Sequence, residues 1–222
     1  MGSQSGWQNA RLPVVFPRMR TETLTQSIAA TVRERVRASA TDVFLRRKDF
    51  AGSDRAVESE LSRMVLAGEL IRVRRGLYYR GKPTRFGMTR PSVLDAAIAT
   101  AGPGSGPAGI SAAHLLGLTT QVPGTIEVGA AGKVPEAMEG VRFRLRPYGR
   151  RELGLTSVEV AVLEILRDPG AVEATWTEVQ TRLEQLITSG IIRVAVLAGA
   201  VSDERHLLVR GRWRELDLAG AL

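Results

Sequence analysis

The sequence predicts a mixed α/β (α+β) protein in two parts, a small basic N-terminal domain and a larger mixed α/β domain behind it. Three observations carry this. Residues 1–90 hold 18 lysines and arginines against 8 carboxylates, a balance of +10, whereas the remainder holds 13 against 15, a balance of −2. Hydrophobic periodicity switches from helical to alternating between residues 57 and 80, as it does where a helix feeds a hairpin. A Gly-, Pro- and Arg-rich stretch, GKPTRFGMTRP at 81–91, then separates this block from a run of helix-like and strand-like segments. The expected organisation is a basic arm or tag remnant at 1–20, a first domain at 21–82, a linker at 83–91 and a second domain at 92–222.

Along the chain, RLPVVFPRMR carries Arg11, Arg18 and Arg20 between two prolines and reads as an extended arm. A helix is expected from Thr23, with Leu24, Ile28, Val32 and Val36 four apart on one face, ending at Ala38–Ala40. Thr41 to Phe44 reads as an extended link, and Arg46 to Ala51 as a short second helix stopped by Gly52. Ser53 or Asp54 caps a third helix to Ala67–Gly68, whose apolar stripe is Val57, Leu61, Met64 and Val65. Opposite that stripe lie Arg55, Ser59, Ser62 and Arg63. In LIRVRRGLYYR, Ile71 and Val73 alternate with Arg72 and Arg74, Arg75-Gly76 turns, and Leu77–Tyr79 returns, giving a hairpin with an apolar and an arginine face. Helix, short helix, capped helix and basic hairpin, in that order, make a winged helix-turn-helix.

Beyond the linker, Ser92 caps a helix to about Thr100, GPGSGPAG at 102–109 reads as a flexible loop, and Ile110–Leu116 as a short helix. Thr125–Val128 and Val141–Leu145 alternate like strands. Thr156 or Ser157 opens an apolar helix, and another runs from Trp176 to Thr188. Residues 191–201 fit a buried helix or strand, and ERHLLVRGRWREL a last helix or an extended pair.

The chemistry of the basic part points to duplex DNA. A major groove admits one helix, so Arg55, Ser59, Ser62 and Arg63 are the expected base-reading and phosphate-contacting residues. Arg72, Arg74 and Arg75 would follow the phosphate backbone from the wing, with Arg46, Arg47 and Lys48 as further phosphate contacts. Each charge also has a plainer reading as a solvated surface residue. Catalytic patterns are weak. The chain has no cysteine, hence no disulfide, thiol nucleophile or Cys-based zinc site. His114 and His206 stand alone, and His114 in ISAAHLLGL reads as a packed helix residue. Gly104, Gly106 and Gly109 have dinucleotide-loop spacing, but a helix rather than a strand precedes them. Carboxylates read as solvated helix positions. No catalytic, metal or cofactor site is expected. There is no apolar run of about 18 residues and no secretory leader, so a cytoplasmic protein without membrane contact is expected.

The stretches VFLRRKDFAGSDRAVESELSRMVLAGELIRVRRGLYY, RPSVLDAAIATAG, ISAAHLLGLTTQVPGTIEVG and LTSVEVAVLEILRD together resemble the AbiEi-type antitoxins, over about residues 24–168. That resemblance implies a winged-helix repressor that binds an inverted repeat in its own promoter, associates cooperatively on it and counters a nucleotidyltransferase-like toxin from the same operon. It places base reading on Arg55, Ser59, Ser62 and Arg63, and the wing on Arg72, Arg74 and Arg75. The alternative is a ligand-responsive winged-helix transcriptional regulator without a toxin partner.

Overall fold

The computed structural model describes residues 27–216; Arg11, Arg18, Arg20, Thr23 and Leu24 lie outside the described residues. It is a mixed helix-and-sheet protein, as the pattern of apolar residues predicts.

Helix α1 spans Ile28–Ala38, its N-terminus capped by Ser27, and buries Val32 and Val36. Helix α2 spans Asp54–Leu66; Ser53 accepts from the Ala56 N–H and Asp54 complements the positive helix end. Its other end closes with Gly68 at φ +74°, the Gly68 N–H on the Val65 carbonyl and the Glu69 N–H on that of Met64. Only glycine takes that conformation without strain, and the two bonds satisfy carbonyls the helix would leave open. Val57, Leu61 and Met64 are buried with Val32, Val36, Phe50, Leu70 and Tyr78 in one cluster. Each such side chain contributes about 1.5–3 kcal/mol.

Strands β1 (Val43–Arg46), β2 (Ile71–Arg74) and β3 (Leu77–Arg80) form an antiparallel sheet in the order β1-β3-β2. Two sequence expectations change here. The extended link is a sheet strand, because β3 offers it a free edge; Phe44 pairs with Tyr79 and their ring centroids lie 5.0 Å apart. The expected second helix from Arg46 to Ala51 is only a single tight turn, Arg47–Asp49, since Arg46 is committed to β1. The 81–91 segment, expected as plain linker, folds into a minimal hairpin of β4 (Pro83–Thr84) and β5 (Gly87–Met88). Asp42 ties it down, accepting from the Thr89 hydroxyl and pairing with Lys82 at 3.1 Å.

In the second half, α3 (Val93–Ala101), α4 (Gly109–Leu116), α5 (Ser157–Arg167), α6 (Trp176–Thr188), α7 (Val194–Asp203) and α8 (Leu207–Glu215) surround a small sheet. Its strands β6 (Gly106–Pro107), β7 (Ile126–Ala131) and β8 (Val141–Arg146) run β6-β7-β8, with β7 and β8 parallel. The two segments that fitted helix or strand equally are the helices α7 and α8. The expected flexible loop at 102–109 is packed: Ser105 is buried and its hydroxyl accepts from the Ala131 N–H at 3.0 Å. A Cβ on Gly104 would lie 2.3 Å from the Arg150 carbonyl oxygen, and one on Gly106 2.6 Å from Val160. Those glycines serve close approach, which composition alone presents as looseness. Helix α5 is buried on every side from Glu159 to Leu166 and centres the largest core cluster. Among the described residues, no helix is long and apolar enough to cross a membrane.

Candidate nucleic-acid interface

Arg55, Ser59 and Arg63 stand exposed on α2 and Ser62 is half-buried, because the opposite stripe of the helix takes the core. Arg55 and Arg63 carry charge outward, and the small serines between them leave backbone-level access for a base edge. Arg63 is 64% exposed and reaches Ser59 Oγ at 3.2 Å and Glu60 Oε2 at 2.5 Å. Glu60 is buried, although it belongs to the polar set of this helix, because Arg33 of α1 holds its other oxygen at 2.6 Å. The sequence carried no signal for that clamp beyond a Glu beside the apolar stripe.

The hairpin meets the same helix through one arginine only. Arg72 Nη2 lies 3.9 Å from Glu58 of α2, so Arg72 belongs to the α2 surface. Arg74 does not. Pairing jumps from Arg72 opposite Tyr78 to Arg74 opposite Leu77, so Val73 is an extra residue in the strand. Such a bulge re-aims the side chains that follow it. The expected single arginine face is therefore broken, and Arg74 bonds Glu136 in the second half at 2.9 Å.

Arg46 also turns that way, donating to the Ala99 carbonyl oxygen of α3. Arg46, Arg74 and Arg75 line a cleft of about 680 Å³ whose far wall supplies Lys133, Glu136 and Arg151. Five cations face one carboxylate there. Lys133 and Arg151 come from far along the chain, and nothing in the local sequence marks them as neighbours of the hairpin. Arg47 pairs with Asp54 at the start of α2, and Lys48 is exposed beside it. The ten proposed contact residues thus fall into two groups: Arg47, Lys48, Arg55, Ser59, Ser62, Arg63 and Arg72 around α2, and Arg46, Arg74 and Arg75 at the cleft.

Asp42, at φ +60°, sits where β1 begins. The Lys82 ammonium, followed by the Tyr79 hydroxyl, holds its carboxyl below the ordinary range. This fixes the small basic hairpin, whose tip carries Arg85 over the ring of Phe86 at 4.6 Å. Phe86 is 86% exposed.

Two readings of the second half are corrected. His114 is not packed; it is exposed in the last turn of α4. The carboxylates of the apolar helix α5 are not solvated: Glu159 and Glu164 are buried and held by arginines, as is Glu204 at the end of α7. Among the described residues, no group of three or more His, Cys, Asp or Glu could hold a metal ion.

No protein-family model matches the chain, and no curated protein matches it. Among solved structures it is similar to the RV2827C protein from Mycobacterium tuberculosis, at 16% identity and a TM-score of 0.40, covering 85% of this chain and 75% of that one. A likeness at that score is too distant to carry an argument about fold or function.

Proposed function

We propose that the chain is a cytoplasmic, operator-binding repressor of the antitoxin type, with a winged helix-turn-helix at residues 21–82 and a mixed α/β partner domain at 92–222. The order α1, β1, α2, β2, β3 and the sheet order β1-β3-β2 support the winged-helix reading. The observation that carries it is the free polar face of α2 with Arg55, Ser59, Ser62 and Arg63, set beside Arg72 of the hairpin. In this reading α2 lies in the major groove, Arg72 follows the phosphates, and occupancy of an inverted repeat blocks the promoter. Two copies on two half-sites bind cooperatively. The antitoxin role and its nucleotidyltransferase-like toxin rest on the sequence resemblance, and they assign the second domain a binding rather than a catalytic task.

The test is binding of the full chain to its own promoter fragment and to a scrambled duplex, as a function of salt. Ser59→Glu is expected to weaken specific binding at least tenfold by placing a carboxylate against the groove. Arg72→Ala should weaken both duplexes equally and lower the salt slope by about 1. Wild-type binding by both variants would sink the assignment of this face.

A further inference from the structure

The second half holds unused hydrogen-bond donors around a cleft that the repressor reading does not employ. The cleft, about 780 Å³, opens where β8 ends, at the carboxyl edge of the parallel pair β7 and β8. In open α/β sheets that edge is the customary ligand position. One wall is apolar, with Leu145 and Tyr148 exposed, Tyr148 to 63%, and Pro147 half-buried between them. The other wall is Arg167, Arg205 and His206. Arg167 and His206 also border an adjoining cavity of about 340 Å³.

Behind the polar wall lies a buried ion cluster. Arg146 grips Glu164 with Nε at 2.7 Å from Oε1 and Nη2 at 2.5 Å from Oε2. Arg150 donates to Glu164 at 2.7 Å and to Glu204 at 2.5 Å, and Arg167 Nη2 donates to Glu204. Three guanidinium groups share two carboxylates, so the cluster keeps one positive charge beyond neutrality. Its donors are likewise in excess. Arg167 Nε and His206 Nδ1 are buried without a hydrogen-bond partner, whereas Nη2 of Arg150 is taken up by Glu204 Oε1 at 2.5 Å. At the rim, Asp203 and Arg205 carry opposite charges and offset one another. Helix α8 begins at the same place, with His206 at its cap position making no side-chain bond to the first turn. Its open N–H groups add positive potential there. A buried polar atom without a partner is costly, and Arg167 and His206, which each carry one, line the same cleft as the exposed Tyr148 ring.

We propose that this cleft is a ligand site for a small oxyanion carried on a flat apolar body. The oxyanion, a phosphate or a carboxylate, accepts from Arg167 Nε and His206 Nδ1, and the body lies on Tyr148 and Leu145. The site is independent of DNA binding, so its failure leaves the repressor reading standing, and the converse also holds.

The test is calorimetric titration of the full chain with three probes: inorganic phosphate, adenosine monophosphate and indole-3-carboxylate. One of the two conjugated probes is expected to bind at a single site at least tenfold more tightly than inorganic phosphate, and which one does so identifies the anion. Arg167→Ala removes a partner of Glu204 and risks unfolding, so Tyr148→Ala and His206→Ala carry the test. Each should weaken the tighter probe at least fivefold while leaving the melting temperature within a few degrees. The proposal is overturned if no probe binds at millimolar concentration, if inorganic phosphate binds as well as the conjugates, or if both variants bind like wild type.

Discussion

Arginine is put to opposite uses in the two halves of this molecule. Around α2 each pair reaches solvent on at least one side, Arg63, Arg72 and Asp54 being 64%, 47% and 78% exposed, even where Arg33 and Arg63 share the buried Glu60. Near α5 the arginines are folded inward and shared, with Arg150, Glu164 and Glu204 each at most 2% exposed. An exposed pair is worth about 0–1 kcal/mol, so a phosphate can take over its arginine with little loss to the fold. A buried pair behaves otherwise: removal of one partner leaves an uncompensated charge in a low-dielectric interior. The same residue type is therefore free to recognise in one half and bound to structure in the other.

The sharpest way to break this contrast is Glu204→Ala. It strips Arg150 and Arg167 of a shared carboxylate and should cost about 3–5 kcal/mol in urea denaturation; a loss below about 1 kcal/mol would mean the cluster is ornamental. Leu61→Ala, in the fully buried stripe of α2, should cost about 2–5 kcal/mol and show that apolar packing stabilises the first half where charge does not.

Acid sharpens the comparison further. Burial pushes the Glu159 carboxyl up, but the Arg193 guanidinium and the backbone N–H groups of Thr156 and Arg193 outweigh it and hold it from 4.5 down to about 2. A carboxyl depressed in the folded state adds stability that is complete above its unfolded value and disappears as pH falls through its folded value. Melting temperature should therefore decline between about pH 4.5 and 2, and Glu159→Gln should flatten that part of the decline. The smallest effect on the fold is expected from Arg72→Ala: stability within about 0.5 kcal/mol of wild type, yet a DNA salt slope lower by about 1.

Local rules reached the elements that local forces build. Ser53, Gly68 and the stripe of Val57, Leu61 and Met64 bound α2 to within a residue, and the helix expected from Trp176 to Thr188 is α6. Elements that exist only through a distant partner were not legible. Strand β6 is two residues, Gly106–Pro107, held by β7 some twenty positions later, and β1 needs β3. The candidate interface was legible in part for the same reason. Its α2 face follows from helical period, but the bulge at Val73 sends Arg74 to Glu136, and Lys133 and Arg151 reach the hairpin only through the fold.

The sequence by itself determined the charge asymmetry, the capped helices and the mixed α/β class, because composition, capping and periodicity act within a turn or two of chain. Tertiary structure alone decided which charges remain at the surface. A carboxylate such as Glu60 or Glu164 can be buried only where arginines from other elements arrive to meet it, and that meeting is a property of packing, not of neighbouring residues.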